Sequence, residues 1–333
     1  MRGYEIARAL NRIGHEARFM RPPGLPGPLR SEMIGSMVRY TAGSRHDRYD
    51  AIMVVKPYPS GSIPALLLSG GETAFILDID DLDAAYRKGW RSAAIGAIQK
   101  PFPRSADLIT CHNRELARYL SAKEGVPPDM IYRLEQGVDI PLFDPDRKIV
   151  TGIGDGKLIV NVCHFDAAAD LEPLLDSLAI VVSRDPSIEV KIVGGGPLLP
   201  RYRSRIRGRG LSGNVHLTGP LAQEEVAAAV AEADLCTVFY SDNYANRYRS
   251  SLKIREYLAM GKKVVSTDVG ELRRFAPYTY QTEADPVSFA GMVLSAIDVR
   301  RSKRAERGQR LVRSNLSWTR IATRFARRLE EML

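Results

Sequence analysis

Short apolar runs alternate along the chain with segments of helical length. The runs with the composition of buried strands are residues 49–55, 74–80, 106–112, 157–165, 190–196, 215–219, 233–240, 262–267 and 278–282. The segments of helical length between them include residues 114–124, 170–184, 198–208, 222–232 and 250–260. Several runs are apolar without alternation, which is typical of strands covered on both faces. The pattern therefore predicts an α/β fold built on parallel sheets.

A break in this pattern predicts two domains. Residues 135–157 are rich in Pro, Gly and Asp and show little periodicity, which indicates a linker. The strand–helix alternation restarts after it. We expect two doubly wound, Rossmann-like domains, at residues 1–148 and 149–312, whose ligands bind at the carboxyl ends of the strands. Two such domains would face each other across a cleft.

The first residues predict a helix, a turn at Gly14 and His15, and then a strand. An open parallel sheet of this kind usually begins with a strand and not with a helix. We therefore expect that a first strand and its loop, roughly 15–25 residues long, precede Met1 in the complete protein.

Composition is that of a soluble globular protein. The chain has 333 residues, of which 44% are hydrophobic and 26% charged. Cys111, Cys163 and Cys236 each lie in an apolar run, and their odd number and wide spacing argue against a disulfide framework or a zinc site. They predict buried thiols and a reducing, cytoplasmic location. No apolar stretch reaches the roughly 18–20 residues of a membrane helix.

The net charge of +9 is concentrated near the C-terminus, where residues 300–333 hold eleven Lys or Arg and three acidic residues. Such a segment can meet nucleic acid, an anionic membrane surface or a phosphorylated substrate, or it can be a solvated helix face. The chain has neither an RNA-module signature nor basic runs interleaved with aromatic residues. No nucleic-acid partner is expected.

A glycine triplet follows one predicted strand of the second domain. Gly194, Gly195 and Gly196 lie between "VKIV" and a predicted helix. Glycines let a ligand approach the backbone, and a helix N-terminus favours anions. A plain turn is the alternative.

The segment "SSLKIREYLAMGKKVVSTDVGEL", residues 250–272, predicts a helix capped by Ser250 or Ser251 and followed by a strand and a loop. Lys253 in the first turn could neutralise a phosphate, and Glu256 on the same face could accept hydrogen bonds from both hydroxyls of a ribose. The alternative is an i,i+3 ion pair on a solvated face.

Polar residues also follow predicted strands of the first domain. Lys56 follows one strand, and Asp78, Asp80 and Asp81 end the next. The carboxylates could bind acceptor hydroxyls, and Lys56 could meet a phosphate or a sugar. A helix N-cap for Asp81 and a solvated turn for Lys56 are the alternatives. His112 could face the same cleft, although a structural role is the simpler interpretation.

The order of these motifs resembles that of the family 4 glycosyltransferases, which have the GT-B fold. The segments that carry the resemblance are "GYEIARALNRIGHEARFM", "QGVDIPLFDP", "KIVGGGPL", "HLTGPLAQEEVAAAVAEADLCTVF", "SLKIREYLAMGKKVVSTDVGELRRF" and "NLSWTRIATRFARRLEEML". Residues 250–272 are the most specific part of the resemblance. They resemble a subgroup whose sequences have a lysine, two further residues, Glu-Tyr-Leu-Ala, any residue and then Gly. "KPYPSG" followed by "LDIDDLD" resembles the first-domain pattern of a related subgroup.

The resemblance implies a retaining, metal-independent transfer of a sugar from a UDP- or GDP-sugar to a glycan, lipid or other acceptor, with no cofactor. By position, Glu256 would hold the ribose, Gly195 and Gly196 would pack against the nucleotide or diphosphate, and Gly270 and Glu271 would line the donor site. The last helix, residues 313–333, would return to the first domain. The catalytic candidates are Lys253, Glu256, Asp80 and Lys56.

Three positions depart from the family pattern. His164 and Ala169 stand where the family usually has an arginine and a lysine for the diphosphate, and Tyr248 replaces the first of two glutamates. A departing diphosphate needs its charge stabilised, and the nearest substitutes are Lys253, Arg247 and Arg249. Two alternatives therefore stay open, a non-catalytic nucleotide-sugar-binding protein and a sugar-nucleotide epimerase of the same fold.

Two further patterns bear on the acceptor and on metals. Residues 81–104 predict a helix with Trp90 and five cations. This helix is either a plain amphipathic helix or a membrane-binding surface. In the second case it and residues 300–328 would contact the anionic inner face of a membrane that carries a lipid-linked acceptor. The Asp-x-Asp of "DID" also matches the metal motif of GT-A glycosyltransferases. Such short matches are common by chance, and the order of the other motifs favours GT-B.

Overall fold

The computed structural model describes residues 2–20, 48–145, 157–166 and 171–333. They form two compact units. Unit 1 consists of Met1–Gln136, Tyr248–Ser250 and Trp318–Leu333, and unit 2 of Gly137–Arg247 and Ser251–Ser317. Each unit is an α/β structure with a parallel sheet, so the prediction of two parallel α/β domains is confirmed.

The first stretch of the chain builds the sheet of unit 1. Its elements are α1 (Arg2–Arg12), β1 (Ala51–Val55), α2 (Pro59–Leu68), β2 (Ala74–Ile79), α3 (Trp90–Gln99), β3 (Leu108–Cys111), α4 (Arg114–Glu124) and β4 (Ile131–Arg133). The strands lie in the order β1-β2-β3-β4, and every pair is parallel. The central strands β2 and β3 are buried along almost their whole length, which explains their continuous apolar runs.

The second stretch builds the sheet of unit 2 and ends in a helix of unit 1. Its elements are β5 (Lys157–Val162), α5 (Leu171–Arg184), β6 (Ile188–Val193), α6 (Leu199–Gly208), β7 (Val215–Leu217), α7 (Gln223–Glu232), β8 (Leu235–Val238), α8 (Tyr244–Tyr248), α9 (Leu252–Ala259), β9 (Val264–Thr267), β10 (Tyr280–Thr282), α10 (Pro286–Ile297), α11 (Lys303–Asn315) and α12 (Trp318–Glu330). The final helix α12 packs on α1 through Trp318, Ile321 and Phe325.

The sheet of unit 2 is doubly wound. Its parallel strands lie in the order β10-β9-β8-β5-β6-β7, so the direction of winding reverses between β5 and β8. Apolar clusters cover both faces, one around Leu175, Val190 and Phe289 and the other around Val160 and Val264. In open α/β sheets a ligand binds beyond the carboxyl ends of the strands at such a reversal.

Three expectations about elements were wrong in detail. Residues 81–104 are not one helix, because Gly89 has φ +60°, a value outside the helical region, and separates a 3₁₀ turn at Asp83–Tyr86 from α3. Residues 15–20 follow the Gly14 turn without forming a strand. Strand β4 has no counterpart among the predicted runs. No helix in the described part of the chain is long and apolar enough to cross a membrane.

Candidate functional site

The candidate nucleotide site of unit 2 is built from the loops that follow β5, β6, β8 and β9. His164 follows β5 and is exposed. The glycine triplet follows β6, Ser251 and α9 follow β8, and Gly270 follows β9. Because all four strands are parallel, these segments lie at one edge of the sheet, and β5 and β8 flank the reversal in winding.

The glycine triplet packs directly on the loop that follows β5. Gly194 and Gly196 have φ +142° and +150°, and a Cβ at these positions would lie 1.8 Å from the carbonyl oxygen of Cys163 and 2.5 Å from that of Phe165. Phe165 N–H donates to the carbonyl of Gly195 at 2.9 Å. A side chain at Gly194 or Gly196 would separate the two loops, so glycine is required by packing as well as by conformation.

Helix α9 begins at this edge of the sheet. The Oγ of Ser251 accepts a hydrogen bond from the N–H of Ile254 at 3.4 Å, so the predicted cap is present. Lys253 Nζ lies 3.0 Å from Glu256 Oε2. The pair is not on a solvated face, because the Glu256 side chain is only 5% exposed while that of Lys253 is 34% exposed. The arrangement combines a helix N-terminus, a cation and a largely buried carboxylate.

The loop after β9 contacts the segment that precedes α9. Gly270 has φ +54°, and a Cβ there would lie 2.6 Å from the carbonyl oxygen of Asn246 and 2.7 Å from that of Arg247. Glu271 follows Gly270, and its side chain is 2% exposed. It is buried against Arg255, whose Nη2 donates to Glu271 Oε1 at 2.6 Å. Arg255 was missed in the sequence, where it stands 16 residues from its partner.

The family pattern has an arginine and a lysine for the diphosphate that this chain lacks. The three cations that could replace them, Arg247, Arg249 and Lys253, lie in different environments. Arg247 is held by Asp242, with Nε 2.8 Å from Oδ1, and this hydrogen bond lowers the pKa of the carboxyl. Arg249 groups with unit 1, because Tyr248–Ser250 belongs there, and Asn113 donates to the carbonyl of Tyr248 at 2.9 Å. Lys253 lies in the first turn of α9. Ala169 lies outside the described residues.

Unit 1 carries a cluster of charged residues where β1 and β2 end. Lys56 Nζ lies 2.6 Å from Asp83 Oδ1 and 3.5 Å from Asp80 Oδ1. Burial alone would lower the pKa of Lys56, but the charges of Asp80 and Asp83 outweigh it and raise that pKa. Burial raises the pKa of Asp80, and burial together with the charge of Asp80 raises the pKa of Asp81 to about 6. Lys56 has φ +72°, a left-handed conformation that is uncommon for a residue with a side chain.

Asp78 and His112 lie inside unit 1. Asp78 is fully buried, accepts hydrogen bonds from Arg2 at 2.7 and 2.9 Å, and accepts a third from Thr110 Oγ1 at 2.6 Å. This corrects its expected acceptor-side role, because the carboxylate has no surface at which an acceptor could meet it. His112 follows β3 and is 4% exposed.

The titratable groups of the described residues outside these clusters include three cysteines. No cluster of three or more His, Cys, Asp or Glu side chains among the described residues could hold a metal ion. Cys111 and Cys236 are buried as predicted, and burial raises the pKa of each thiol to about 12. Cys163 is partly buried.

Most of unit 2 matches a known protein family. Residues 156–298 match the family described as Glycosyl transferases group 1. A putative teichuronic acid biosynthesis glycosyltransferase, TuaH of Bacillus subtilis (strain 168), is 27% identical over 211 residues, which are 61% of this chain and 50% of that protein. The chain thus matches about half the length of this relative.

Solved structures share the fold. Sucrose-phosphate synthase from Thermosynechococcus elongatus superposes with a TM-score of 0.76 at 16% identity, over 98% of this chain and 92% of that one. Anabaena HepE in complex with UDP-glucose gives a TM-score of 0.73 at 16% identity, over 89% and 82% of the two chains. The predicted GT-B fold is confirmed.

Proposed function

We propose, from the match of residues 156–298 to the glycosyl transferases group 1 family, that the chain is a retaining glycosyltransferase. It transfers a sugar from a UDP-sugar to a cell-envelope glycan or to its lipid-linked precursor. The donor is a substrate, and the chain requires no further cofactor or metal. The reaction takes place in the cytoplasm.

The observation that carries this proposal is the composition of the α9 N-terminus. Lys253 in the first turn and Glu256 one turn later lie on one face, beyond the carboxyl edge of the sheet. A nucleoside diphosphate presents an anionic diphosphate and a ribose diol, which suit a cation and a carboxylate respectively. The main-chain N–H groups at the N-terminus of α9 and Lys253 would bind the diphosphate, and Glu256 would accept hydrogen bonds from the diol.

The ion pair between Lys253 and Glu256 suggests how the two side chains would exchange partners when the ligand binds. Glu256 is nearly buried and is neutralised by Lys253 at 3.0 Å. When the ligand arrives, Lys253 turns to the phosphate and the two ribose hydroxyls take its place on the carboxylate. The buried carboxylate thus keeps hydrogen-bond donors in both states, which avoids the cost of an unpaired buried charge.

The relatives support a particular donor and acceptor. HepE is found in complex with UDP-glucose, which supports uridine as the base. TuaH is described as a putative glycosyltransferase of teichuronic acid biosynthesis, which supports a cell-envelope glycan as the acceptor. Both features are proposals for this chain.

The acceptor-side candidates are Lys56, Asp80 and Asp81. Asp80 Oδ1 is buried and lies 3.5 Å from Lys56 Nζ, but the Asp80 side chain as a whole is 20% exposed, so an acceptor hydroxyl would meet the carboxylate at its exposed part. The left-handed backbone of Lys56 is a local strain of the kind found at ligand-binding positions. We assign these side chains to acceptor binding and orientation.

Two basic surfaces would carry a lipid-linked acceptor. Trp90 is 76% exposed at the start of α3, and the guanidinium of Arg91 lies 5.5 Å from its ring centre. This surface, and separately the basic residues of α11 and those of α12, would each bind the anionic inner face of a membrane.

In the proposed reaction the nucleoside diphosphate departs and the acceptor hydroxyl attacks the same face of the sugar. The chain needs no nucleophile of its own, and its contribution is positioning and electrostatic stabilisation of the departing diphosphate. Lys253 and the helix N-terminus supply that stabilisation.

A thermal-shift experiment tests the proposal. The wild-type chain is melted with UDP, GDP, ADP and their glucose conjugates, each with and without EDTA. We expect a rise in melting temperature with UDP and UDP-glucose that EDTA does not change, followed by acceptor-dependent release of UDP and a retained anomer by NMR. Binding without turnover would favour the non-catalytic alternative, and donor consumption without acceptor would favour the epimerase. No shift with any nucleotide would contradict the proposal.

A further inference from the structure

The guanidinium of Arg255 is enclosed in the middle of the candidate nucleotide site. Its side chain is fully buried. Nη1 donates to the carbonyl of Ser251 at 2.7 Å, Nη2 donates to Glu271 Oε1 at 2.6 Å, and Cζ lies 5.1 Å from the ring centre of Phe275. One side chain therefore binds both the N-cap residue of α9 and the segment that follows β9.

The stability of unit 2 does not by itself explain this pair. Burying two charges removes the hydration of both, and their attraction often recovers no more than that cost. Replacement of a buried ion pair by apolar side chains of similar volume is frequently neutral or stabilising. What apolar residues cannot reproduce is a set of directed hydrogen bonds that fixes two loops at one geometry.

The segments that the pair fixes are those that form the proposed diphosphate site. Ser251 is the N-cap of α9, so its position sets the direction of the helix N–H groups and of Lys253. Glu271 is adjacent to Gly270, where a Cβ would lie only 2.6 Å from the carbonyl oxygen of Asn246 and 2.7 Å from that of Arg247. A displaced Glu271 carboxylate would move Gly270 against that backbone.

We propose that Arg255 and Glu271 are positioning residues for the nucleoside diphosphate, and this inference rests on the proposed function. Neither side chain touches the ligand. Together they hold the N-terminus of α9 and the main chain of Gly270 in the arrangement that accepts the diphosphate. They contribute little to recognition of the ribose, which depends on Glu256.

The test compares three variants with the wild-type chain: R255K, the double variant R255M/E271M, and a control, K191M/E232L. Lys191 and Glu232 form another ion pair of unit 2, at 2.7 Å, that lies outside the candidate site. Melting temperature without ligand, and the affinities for UDP and for uridine, are measured for each. Hydrogen–deuterium exchange is followed at residues 251–256 and 270–275.

We expect the double variant to melt within a few degrees of wild type and to bind UDP at least tenfold more weakly, with uridine affinity changed less than threefold. R255K keeps the charge but cannot make both hydrogen bonds of the guanidinium, to Ser251 and to Glu271. It should therefore bind UDP several-fold more weakly, and its amide hydrogens should exchange faster at residues 251–256 and 270–275. The control should bind UDP as wild type does.

Wild-type UDP affinity in R255K or in the double variant would overturn the positioning role alone. If the double variant does not fold, R255K decides the question. An equal loss of UDP and uridine affinity would also overturn it, because the pair would then act on the whole site. Failure of the wild-type chain to bind any nucleotide would overturn the proposed function and this inference together.

Discussion

The phenolic oxygen of Tyr257 accepts a hydrogen bond of 2.7 Å from the main-chain N–H of Val162. Tyr257 is fully buried on α9, and Val162 is the last residue of β5. The bond joins the helix that carries Lys253 and Glu256 to the strand that precedes His164. Two parts of the candidate site that are far apart in sequence are thereby held in register.

Replacement of Tyr257 by Phe should lower the free energy of unfolding by about 1–3 kcal/mol, because the Val162 N–H is left buried without its partner. Urea denaturation followed by circular dichroism measures the change. Tyr4→Phe, at a tyrosine that is 49% exposed, is the control and should be neutral. Equal stability of Y257F and wild type would show that the bond is dispensable.

Lys253→Ala should weaken UDP binding about 10- to 100-fold, which corresponds to the loss of one charge-assisted hydrogen bond to phosphate. Binding of uridine should change little. The salt dependence of UDP binding should also become less steep. Isothermal titration calorimetry at several salt concentrations measures the UDP affinity, the uridine affinity and the salt dependence of UDP binding.

The matched control for this variant is Lys303→Ala. Lys303 follows the capping residue Ser302 in the first turn of α11, just as Lys253 lies in the first turn of α9. If K253A bound UDP as tightly as K303A does, Lys253 would have no part in phosphate binding.

Asp81→Asn should stabilise the chain at neutral pH and not at pH 4. Burial and the charge of Asp80 raise the pKa of Asp81 to about 6 from an ordinary value of 3.8, so the folded state binds this proton more tightly than the unfolded state. By linkage, wild-type stability falls as pH rises from about 4 to about 6 and the loss is complete above that range. We expect a gain in D81N of about 1–2 kcal/mol at pH 7.

Melting temperatures of wild type and D81N between pH 4 and 8 measure this difference. Asp129→Asn, at an exposed carboxylate of unit 1, is the control and should show no such pH-dependent gain. A difference between D81N and wild type that is constant across the range would contradict the raised pKa.

Asp78→Asn should destabilise unit 1 by about 3–5 kcal/mol, because it leaves the buried Arg2 guanidinium without its counter-charge. The double variant R2M/D78L should recover much of this loss. UDP affinity should stay unchanged in R2M/D78L, since the proposed nucleotide residues lie in unit 2. Glu5→Gln, which removes the partly exposed pair with Arg8, should cost less than about 1 kcal/mol. Urea denaturation measures the changes in stability, and a UDP titration measures the affinity. Weakened UDP binding in folded R2M/D78L would argue against the assignment of the nucleotide site to unit 2.

Much of the fold could be predicted because its signals are local. The central strands are continuous apolar runs, and Ser251, Lys253 and Glu256 were placed on one helix from spacing alone. Strand β4 could not be found this way, since Ile131–Arg133 is three residues long and none of them is fully buried. The break of the helix predicted over residues 81–104 depends on one glycine, Gly89, whose conformation the hydrophobic pattern does not reveal.

The side-chain partners inside each unit could not be predicted, because they join distant positions. Asp78 lies in an apolar strand, which indicates burial and hence a need for a cation, but Arg2 is 76 residues away. Arg255 carried a similar signal. It lies among six consecutive buried residues, Ile254–Ala259, where a charge requires a partner. Nothing in the local pattern identifies Glu271 as that partner.

The central claim, that α9 holds a uridine diphosphate, is tested most directly by titrating wild type and E256A with UDP in a calorimeter. We predict that wild type binds UDP and that E256A binds it at least about 30-fold more weakly, the equivalent of about 2 kcal/mol for hydrogen bonds to a charged group. The melting temperature without ligand should stay close to that of wild type, and Glu224→Ala, at an exposed glutamate of α7, should bind normally. Equal UDP affinity in E256A and wild type would contradict the assignment of the ribose site to Glu256.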